Sequence, residues 1–425
     1  MSAAVQAPTV QAPPAQARTG SGTPARPRLT ELEESHGGGA YFPRGLTLTR
    51  GQGARLEDDQ GRSYVDCVSG HGAACLGHGH PALAEAVAEQ AGTLISSPAA
   101  FGSELRGRLL ARLSELTGLQ RFFLCNSGTE AVEAAIKYAR QATGRPRLVA
   151  AKRGFHGRTL GALSATWEPR YRRPFEPLVD GVCHVAYDDL EAVAQALGDG
   201  AGDDVAAVLV EPIQGEGGVR VPSPGYLEGL RNLCDRHGVL LIFDEVQTGF
   251  GRTGRLLAHH RWAEGRWAPD LVALGKGIAG GVPMGALALR DGLDPFPFGA
   301  HGSTFGGNPL ACAASLAVLE TLVDEQLCER AERLGEMALA RLREELADCR
   351  AVREIRGQGL MIGIDLRCRA GATLRRLTDE GLLALSAGLT VIRLLPPLVI
   401  DEADWHWALE RLIETVRDID LGAGR

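Results

Sequence analysis

The stretch GVLLIFDE, residues 238–245, is apolar throughout until it ends on two adjacent carboxylates. An apolar run of this length, rich in branched and aromatic residues, is typical of a strand that is buried on both faces. Similar runs, separated by helical patterns, are RFFLCN (121–126), RLVAA (147–151), VAAVLVEP (205–212) and DLVALG (270–275). The alternation predicts an α/β fold with a mostly parallel sheet that helices cover on both sides.

Unusual polar and glycine-rich segments follow the predicted strands. They are Asn126–Thr129, Glu211–Gly218, Asp244–Gln247 and Lys276. In open α/β sheets, ligands bind beyond the carboxyl ends of the strands. We therefore expect a functional site where these segments meet.

Composition excludes several classes of protein. A net charge of -7 gives no reason to expect binding to nucleic acid or to an anionic membrane. Nine scattered cysteines without a C-x-x-C motif argue against a disulfide framework and favour the cytoplasm. The sequence contains neither an apolar run of the ~18 residues needed to span a bilayer nor a signal peptide.

With 425 residues, 44% of them hydrophobic, the chain is long enough for a large domain and a smaller one. Residues 1–28 are rich in Ala, Pro and Gln, which predicts a disordered tail. The predicted division continues with an N-terminal part of the small domain at 29–75, a large ligand-binding domain at 76–315 and a C-terminal α+β part of the small domain at 316–425.

Lys276 is one of only three lysines among 45 basic residues, and it stands between two glycines. Desolvation at an apolar strand end lowers the pKa of an amine and makes it a nucleophile, whereas a guanidinium stays protonated. The alternative is a lysine whose stem covers the rim of the core while its head reaches water. The rarity of lysine and the flanking glycines favour the functional interpretation.

Nucleotide and metal sites fit the sequence poorly. GKGIAG (275–280) has the spacing of a dinucleotide fingerprint, but Pro283 interrupts the helix that should follow and no acidic residue lies about 20 positions downstream. The segment also lacks the glycine and the hydroxyl residue of a P-loop. His78 and His80 have no third ligand at zinc spacing, so we expect no metal.

Two further features suit a pyridine cofactor with a phosphate. A buried carboxylate at Asp244 needs a cationic or donating partner, and a protonated pyridine nitrogen is one, although an aspartate that caps a helix or turn is the simpler alternative. Ser127, Gly128 and Thr129 stand at a predicted helix start, where backbone N–H groups favour a phosphate. An ordinary helix cap explains that segment equally well.

At this point the chain resembles a known family, the fold-type I, class III aminotransferases that use pyridoxal 5'-phosphate (PLP), in their acetylornithine/ornithine branch. The resemblance runs from about Thr47 to the C-terminal helix. The motifs that carry it include NSGTEAVEAAIKYAR, GFHGRTLGALSAT, EPIQGEGG, FDEVQTGFGRTG, LGKGIAGGVPMGA, STFGGNPLACAA and VIRLLPPL. The resemblance implies a large domain with a mostly parallel, seven-stranded type of sheet and a smaller α+β domain.

The resemblance also implies a set of cofactor-binding residues. These are Ser127, Gly128, Thr129, Phe155, Asp244, Glu245, Val246, Gln247, Lys276 and Thr304. Lys276 would be the catalytic residue, which binds the cofactor as a Schiff base and transfers the proton. Asp244 would pair with the pyridine nitrogen, and Gly128 and Thr129 would hold the phosphate.

By the same resemblance, Phe155 and Val246 would contact the two ring faces and Gln247 the 3-oxygen of the ring. Glu245 belongs to the same motif without an assigned role. Thr304 would reach the phosphate from the neighbouring subunit, which implies a homodimer.

Four residues are implied to bind the substrates glutamate and 2-oxoglutarate and the amino acceptor. Arg158 and Arg393 would be carboxylate forks, a geometry that arginine provides and lysine does not. Ser303 would lie near the substrate. Glu216 would act as a gate, neutralising an arginine when an amine-ended substrate binds and releasing it for 2-oxoglutarate.

Within the family, the segment SATWEPRYRRPFEPLV (164–179) resembles the aminotransferase of lysine biosynthesis through aminoadipate. Its substrate, aminoadipate semialdehyde, is bound to the γ-carboxyl of the terminal glutamate of a small acidic carrier protein. The basic residues Arg170, Arg172 and Arg173 would face that carrier by charge complementarity, or form a solvated loop. Acetylornithine aminotransferase is the alternative.

Two other interpretations stay open at this stage. A catalytically silent protein with the same fold would not need Lys276, Asp244 and both arginines together. A mutase or decarboxylase of the same class would share the cofactor site but would need no dicarboxylate amino acceptor.

Overall fold

A computed structural model of the chain describes residues 29–40, 44–198 and 204–419. The predicted disordered tail, residues 1–28, lies outside the described residues. The chain divides into two units, the first ending at Leu48 and the second beginning at Thr49. In the first unit, α1 spans Leu29–His36. The predicted domain boundaries after residues 75 and 315 remain predictions.

The helices alternate with strands along most of the second unit. They are α2 (Ser69–Gly72), α3 (Pro81–Thr93), α4 (Glu104–Thr117), α5 (Gly128–Thr143), α6 (Leu160–Ala165), α7 (Pro169–Arg172), α8 (Leu190–Leu197), α9 (Tyr226–His237), α10 (His260–Ala263), α11 (Pro309–Asp324), α12 (Leu327–Glu345), α13 (Gly371–Asp379) and α14 (Glu402–Arg417).

The strands form three sheets. They are β1 (Leu48–Gln52), β2 (Arg55–Asp58), β3 (Ser63–Asp66), β4 (Arg121–Cys125), β5 (Arg147–Ala151), β6 (Val182–Val185), β7 (Val205–Val210), β8 (Leu240–Asp244), β9 (Leu271–Leu274), β10 (Gly285–Leu289), β11 (Val352–Gln358), β12 (Met361–Leu366), β13 (Leu382–Leu383), β14 (Leu385–Ala387) and β15 (Val391–Leu394).

The large sheet has seven strands in the order β4-β10-β9-β8-β7-β5-β6. All neighbours are parallel except β10, which runs antiparallel to both β4 and β9. The predicted mostly parallel sheet is confirmed. Because β4 therefore runs in the same direction as β7, β8 and β9, the carboxyl ends of these four strands meet at one edge.

The central strands are apolar throughout because helices cover both of their faces. On one face, Leu209 and Ile242 join a buried cluster with Val132 of α5. On the other face, Leu241 and Phe243 join a cluster with residues of α8 and α9. Burying one such side chain stabilises the fold by roughly 1.5–3 kcal/mol.

The two small sheets are built from opposite ends of the second unit. One has the order β1-β2-β3-β13, in which β13 from the C-terminal part is parallel to β3. The other, β11-β12-β15-β14, is antiparallel throughout and carries Arg393 on β15. The C-terminal part is thus α+β, as the sequence predicts.

Candidate active site

Lys276 directly follows β9 and Gly275 and faces a cavity of about 270 Å³ at the carboxyl edge of the large sheet. Its backbone has φ of +45°, a left-handed conformation that costs a non-glycine residue of order 1–3 kcal/mol and is concentrated at functional sites. Burial lowers the pKa of Lys276 to about 8, although the nearby Glu216 charge partly opposes this. This direction agrees with the lowered pKa that the apolar sequence context predicts, and the catalytic role of Lys276 stays a prediction.

Asp244 ends β8 and lines the same cavity as Lys276. Its Oδ2 lies 2.8 Å from Nδ1 of His156, and its Oδ1 accepts a hydrogen bond of 3.1 Å from the Val246 N–H. Both side chains of the Asp244–His156 pair are buried. The histidine fixes the orientation of a carboxylate whose neighbouring space remains open to a ligand.

His156 is a site residue that sequence reasoning missed. Its backbone N–H donates to Thr166 Oγ1 at 2.9 Å, and its buried Nε2 has no hydrogen-bond partner among the described residues. The GFHGRT motif contains it, but the resemblance was used only for the residues on either side, Phe155 and Arg158. A histidine two residues before Arg158, a predicted substrate-binding arginine, was the available signal.

The N-terminus of α5 forms one end of the cavity, and this end is suited to bind an anion. Gly128 and Thr129 line the cavity, where the N-terminus of this 16-residue helix presents free N–H groups. A Cβ at Gly128 would lie 2.5 Å from Val246 Cγ1, so only glycine permits this close approach. Ser127 caps the helix, its Oγ accepting from the Glu130 N–H at 3.3 Å.

Phe155, Val246 and Gln247 line the cavity as the resemblance implies. Gln247 is buried, and its Nε2 has no hydrogen-bond partner in the described parts of the chain. A cavity with an aromatic wall, an aliphatic wall, a buried carboxylate and unpartnered buried donors fits a planar, phosphorylated pyridine ring. Lys276 lines the same cavity and is one of the residues that would hold this ring.

Glu245 is placed differently from the other residues of its motif. Its carboxylate accepts hydrogen bonds from the Ala258 N–H, the His259 N–H and Thr248 Oγ1, at 2.7–2.9 Å, and lies 2.8 Å from His259 Nδ1. It does not line the cavity, because all of its oxygens are used to hold the loop that follows β8. The structure thus shows a supporting position for Glu245, and its predicted place in the cofactor site stays a prediction.

Glu216 lines the cavity and forms an ion pair with Arg393, which is not itself among the lining residues. Their Nη1 and Oε1 atoms lie 2.6 Å apart, and Arg393 also donates to Gln247 Oε1 at 3.2 Å. Burial alone would raise the pKa of Glu216, but the charges of Arg393 and Lys276 outweigh it and lower the pKa. The predicted gate residue therefore neutralises the predicted carboxylate fork in this structure.

Arg158 lines the cavity from its exposed side. Its guanidinium carbon lies 3.8 Å from the ring centroid of Tyr171 and 5.6 Å from that of Phe155. These are cation–π contacts, which leave the donor edge of the guanidinium available to a carboxylate. Tyr171 is a second residue that the sequence did not single out.

Ser303 and Thr304 do not line the cavity of their own chain. Ser303 Oγ accepts hydrogen bonds from Asn126 Nδ2 at 3.1 Å and from the Gly306 N–H at 3.0 Å, while Thr304 is exposed. An exposed Thr304 is compatible with its predicted contact to a neighbouring subunit. That contact stays a prediction.

Glu211 at the end of β7 is the third missed residue. Its carboxylate is buried and accepts hydrogen bonds from the N–H groups of Phe155 (3.0 Å) and Gly215 (2.9 Å). Burial, reinforced by the Asp244 charge and opposed by His156, raises the pKa of Glu211 to about 7. It ties Phe155 to the loop that carries Glu216.

Neither a metal site nor a membrane span stands out in the described part of the chain. His78 Nε2 pairs with Asp66 Oδ2 at 2.8 Å, and His80 Nε2 lies 3.6 Å from Glu325 Oε1. The residues that the structure describes contain no cluster of three or more His, Cys, Asp or Glu side chains placed to hold a metal. None of the described helices is long and apolar enough to cross a bilayer.

Comparison with known proteins shows which family the chain is similar to. The family model described as aminotransferase class III matches residues 40–416. An acetylornithine aminotransferase from Methanopyrus kandleri is 47% identical over 381 residues, which cover 88% of this chain and 95% of that protein. A [LysW]-aminoadipate semialdehyde transaminase from Deinococcus radiodurans is 45% identical over 393 residues and 90% of each chain.

Among solved structures, an ornithine aminotransferase from Toxoplasma gondii aligns with a TM-score of 0.86 and 37% identity. The alignment covers 91% of this chain and 93% of the other. The likeness extends over both the large sheet and the C-terminal α+β part. The predicted fold-type I architecture is confirmed.

Proposed function

Because the chain belongs to the class III aminotransferases, we propose that it transfers an amino group between glutamate and the terminal aldehyde of carrier-protein-bound aminoadipate semialdehyde. The products are 2-oxoglutarate and carrier-bound lysine. The predictions of a transaminase and of PLP as its cofactor are confirmed at the level of the family. The identity of the acyl group on the substrate, and its attachment to a carrier protein, belong to our proposal.

The residues of the cavity have different roles toward the cofactor. When bound, PLP supplies an electron sink for the carbon that carries the amine. Lys276 binds it and moves the proton, a role that a pKa of about 8 suits near neutral pH. Asp244, oriented by His156, holds the pyridine nitrogen protonated, and the start of α5 at Gly128 and Thr129 holds the phosphate.

The Glu216–Arg393 pair is the observation that carries the proposal. One site must accept both a dicarboxylate, glutamate, and a chain that ends in an amine or aldehyde. At 2.6 Å, Glu216 removes the net charge of Arg393 while the uncharged end of the second substrate is bound. When glutamate enters, Glu216 moves away and the Arg393 fork takes its carboxylate.

Two observations favour an acylated substrate that is attached to a carrier. Relatives named for [LysW]-aminoadipate semialdehyde from Deinococcus radiodurans and Sulfurisphaera tokodaii are 45% and 43% identical. In a chain of net charge -7, the arginines 170, 172 and 173 form no ion pair with a carboxylate in the described residues. An acidic carrier complements this segment.

Amino transfer to N-acetylornithine semialdehyde is the second candidate. The relative from Methanopyrus kandleri, named acetylornithine aminotransferase, is 47% identical. Both substrates present an acylated α-amino group at one end and an aldehyde at the other, so both fit the same pair of arginines. The length of the chain and the nature of its acyl group separate them.

We also propose that the enzyme is a cytoplasmic homodimer. Thr304 is exposed, beside the exposed Phe305, in the segment predicted to complete the neighbouring site. All nine cysteines are free, which fits a reducing compartment. Sedimentation of the purified protein at two concentrations tests the dimer.

The proposal is tested by two half-reactions followed through the visible absorbance of the lysine-bound cofactor. Glutamate should abolish this absorbance, and carrier-bound aminoadipate semialdehyde should restore it faster than N-acetylornithine semialdehyde at matched concentration. Faster recovery with the acetylated aldehyde would favour the second candidate. Absence of any change with glutamate would contradict an aminotransferase.

A further inference from the structure

A second cavity, of about 240 Å³, adjoins the active site. It shares the lining residues Phe155 and Glu216 with the catalytic cavity, so the two cavities lie side by side. Its other walls include Arg153, Trp167, Arg170 and Tyr171. None of its residues is needed for the cofactor except Phe155.

The two arginines of this cavity have no acidic partner. Both arginines are exposed, and neither Arg153 nor Arg170 forms an ion pair with any described residue. Of the two carboxylates in the wall, Glu216 pairs with Arg393, whereas Glu168 accepts only a backbone hydrogen bond of 3.4 Å from the Arg170 N–H. The two arginines therefore outnumber the one carboxylate that has no cationic partner, and the cavity keeps a net positive charge.

The backbone of Arg153 indicates that this charge is held in place at a cost. Its φ is +68°, a conformation that a glycine or asparagine would adopt more easily. The segment is fixed on both sides: Lys152 O accepts from Gln214 Nε2 at 2.9 Å, and a Cβ at Gly217 would lie 2.7 Å from Arg153 O. An arginine thus stands at a position where the left-handed backbone disfavours it.

Repulsion between like charges adds to the case for an anion. Burial lowers the pKa of Arg220, and the charge of Arg153 lowers it further. Lys152, Arg153 and Arg220 line a neighbouring surface hollow of about 350 Å³. An anion beside Arg153 would relieve this repulsion, and a guanidinium fork binds a carboxylate with two parallel hydrogen bonds.

Tyr171 forms the wall between the arginines. Its ring centroid lies 3.8 Å from the guanidinium carbon of Arg158 and 4.6 Å from that of Arg170. The stack leads from the catalytic cavity, which Arg158 lines, to the outside, where Arg170 is exposed. A substrate that is bound by Arg158 can therefore extend its acyl group outward along a continuous surface of arginine and tyrosine side chains.

We propose that the second cavity binds a carboxylate that belongs to the acyl group of the substrate, with Arg153 as its main partner and Arg170 as its second. The ligand class is an N-acylated ω-amino acid or ω-aldehyde whose acyl group carries its own negative charge. A γ-glutamyl group has such a carboxylate and an acetyl group has none. The inference rests on the proposed function and makes this cavity the determinant that separates its two candidates.

The test compares two amine substrates that differ by one charge. N-acetyl-γ-glutamyl groups are attached to the α-amine of lysine, with the glutamyl α-carboxyl either free or as a carboxamide, and 2-oxoglutarate is the acceptor. The wild-type enzyme should favour the carboxylate in kcat/KM by about tenfold or more, chiefly through KM, as expected for a hydrogen-bonded charge pair. A ratio near one would overturn the proposal.

Variants of Arg153 assign the effect. R153N, whose side chain tolerates the left-handed backbone, should bring the carboxylate-to-carboxamide ratio close to one, and R153K should retain part of it. R343Q, which removes an exposed arginine of α12 outside both cavities, controls for the loss of net charge and should keep the wild-type ratio. An unchanged ratio in R153N would assign the effect elsewhere and refute the role of Arg153.

A binding measurement separates this proposal from the proposed function. N-acetyl-γ-glutamyl-norleucine lacks the terminal amine and cannot react, so its affinity for the PLP-loaded enzyme is measured by calorimetry whatever the reaction proves to be. The proposal expects binding that weakens at least tenfold in R153N and with the carboxamide analogue. Equal binding of both analogues overturns it, whereas binding without turnover of any acylated lysine would contradict the proposed function alone.

Discussion

Glu216 Oε1, in the wall of the cavity that Lys276 faces, lies 2.6 Å from Arg393 Nη1. The pair is buried on the arginine side and partly open on the glutamate side, with 1% and 26% of the side chains exposed. Glu216 can therefore leave without uncovering the core, whereas Arg393 is fixed. This asymmetry is what a site with two different substrates requires.

Replacing Glu216 should shift the preference between the substrates. In E216Q the Arg393 charge is no longer neutralised, so the KM for 2-oxoglutarate should fall while the KM for the acylated amine rises, each by about tenfold, as expected for one charged hydrogen bond. Steady-state kinetics of both half-reactions measures the shift. E216D, which keeps the charge, is the control, and parallel changes in both KM values would argue against a gate.

Replacing Arg393 should affect one half-reaction far more than the other. R393K keeps the charge but loses the fork, so the glutamate half-reaction should slow by about tenfold or more at subsaturating glutamate. The half-reaction of the acylated amine should change little. Rapid-mixing absorbance measurements distinguish the two, and equal slowing of both would show that Arg393 acts mainly on the fold.

The Asp244–His156 pair should control how tightly the cofactor is held. H156A removes the ring that lies 2.8 Å from Asp244 Oδ2, which leaves the buried carboxylate without this partner and free to rotate away from the pyridine nitrogen. We expect weaker PLP binding and an altered pH dependence of its visible absorbance. H156Q, which keeps a donor, should be closer to wild type. Identical spectra in all three proteins would remove His156 from the site.

Loading of the apoenzyme should depend on pH through Lys276. The amine reacts only when unprotonated, and burial lowers its pKa to about 8. The rate of PLP attachment should therefore rise with pH up to about 8 and level off above it, whereas for an ordinary lysine the rate would continue to rise up to its usual pKa of 10.5. The rate is read from the growth of visible absorbance, with K276A as the blank. A rise that continues to pH 10 would contradict the burial argument.

The contact between α5 and the loop after β8 is tested by adding one methyl group. In G128A the new Cβ would lie 2.5 Å from Val246 Cγ1, which forces the phosphate end and the loop apart. PLP affinity should fall by tenfold or more while the fold survives. The double variant G128A/V246A relieves the clash, so its affinity should recover in part. Equal loss in both variants would point to another cause.

Residues at the carboxyl ends of strands were predictable because strand and site lie side by side in the sequence. Asp244 and Lys276 follow apolar runs directly, and the direction of parallel strands brings them together. His156, Tyr171 and Arg153 stand on the segment between β5 and β6, whose path depends on tertiary contacts. His156 had a local signal in the GFHGRT motif, whereas no local pattern placed Tyr171 or Arg153 beside a cavity.

There are also physical reasons why the sequence did not reveal some of the strands. The edge strand β6, VCHV, is only half-buried and has a polar residue within it. The strand β10, GALAL, consists of small residues directly after Pro283, where the pattern is equally compatible with a turn and helix. Glu245 stands in the same motif as Asp244 and Gln247 but does not line the cavity, because a motif gives the order of residues and not the direction of each side chain.

Transfer of isotopic nitrogen tests the central proposal most directly. The enzyme is incubated with 15N-labelled glutamate and carrier-bound aminoadipate semialdehyde, and the carrier is analysed by mass spectrometry after digestion. The proposed function predicts one 15N atom at the terminal amine of the carrier-bound lysine. Unlabelled carrier, under conditions in which N-acetylornithine semialdehyde acquires the label, would contradict the carrier-bound substrate and support the acetylated one.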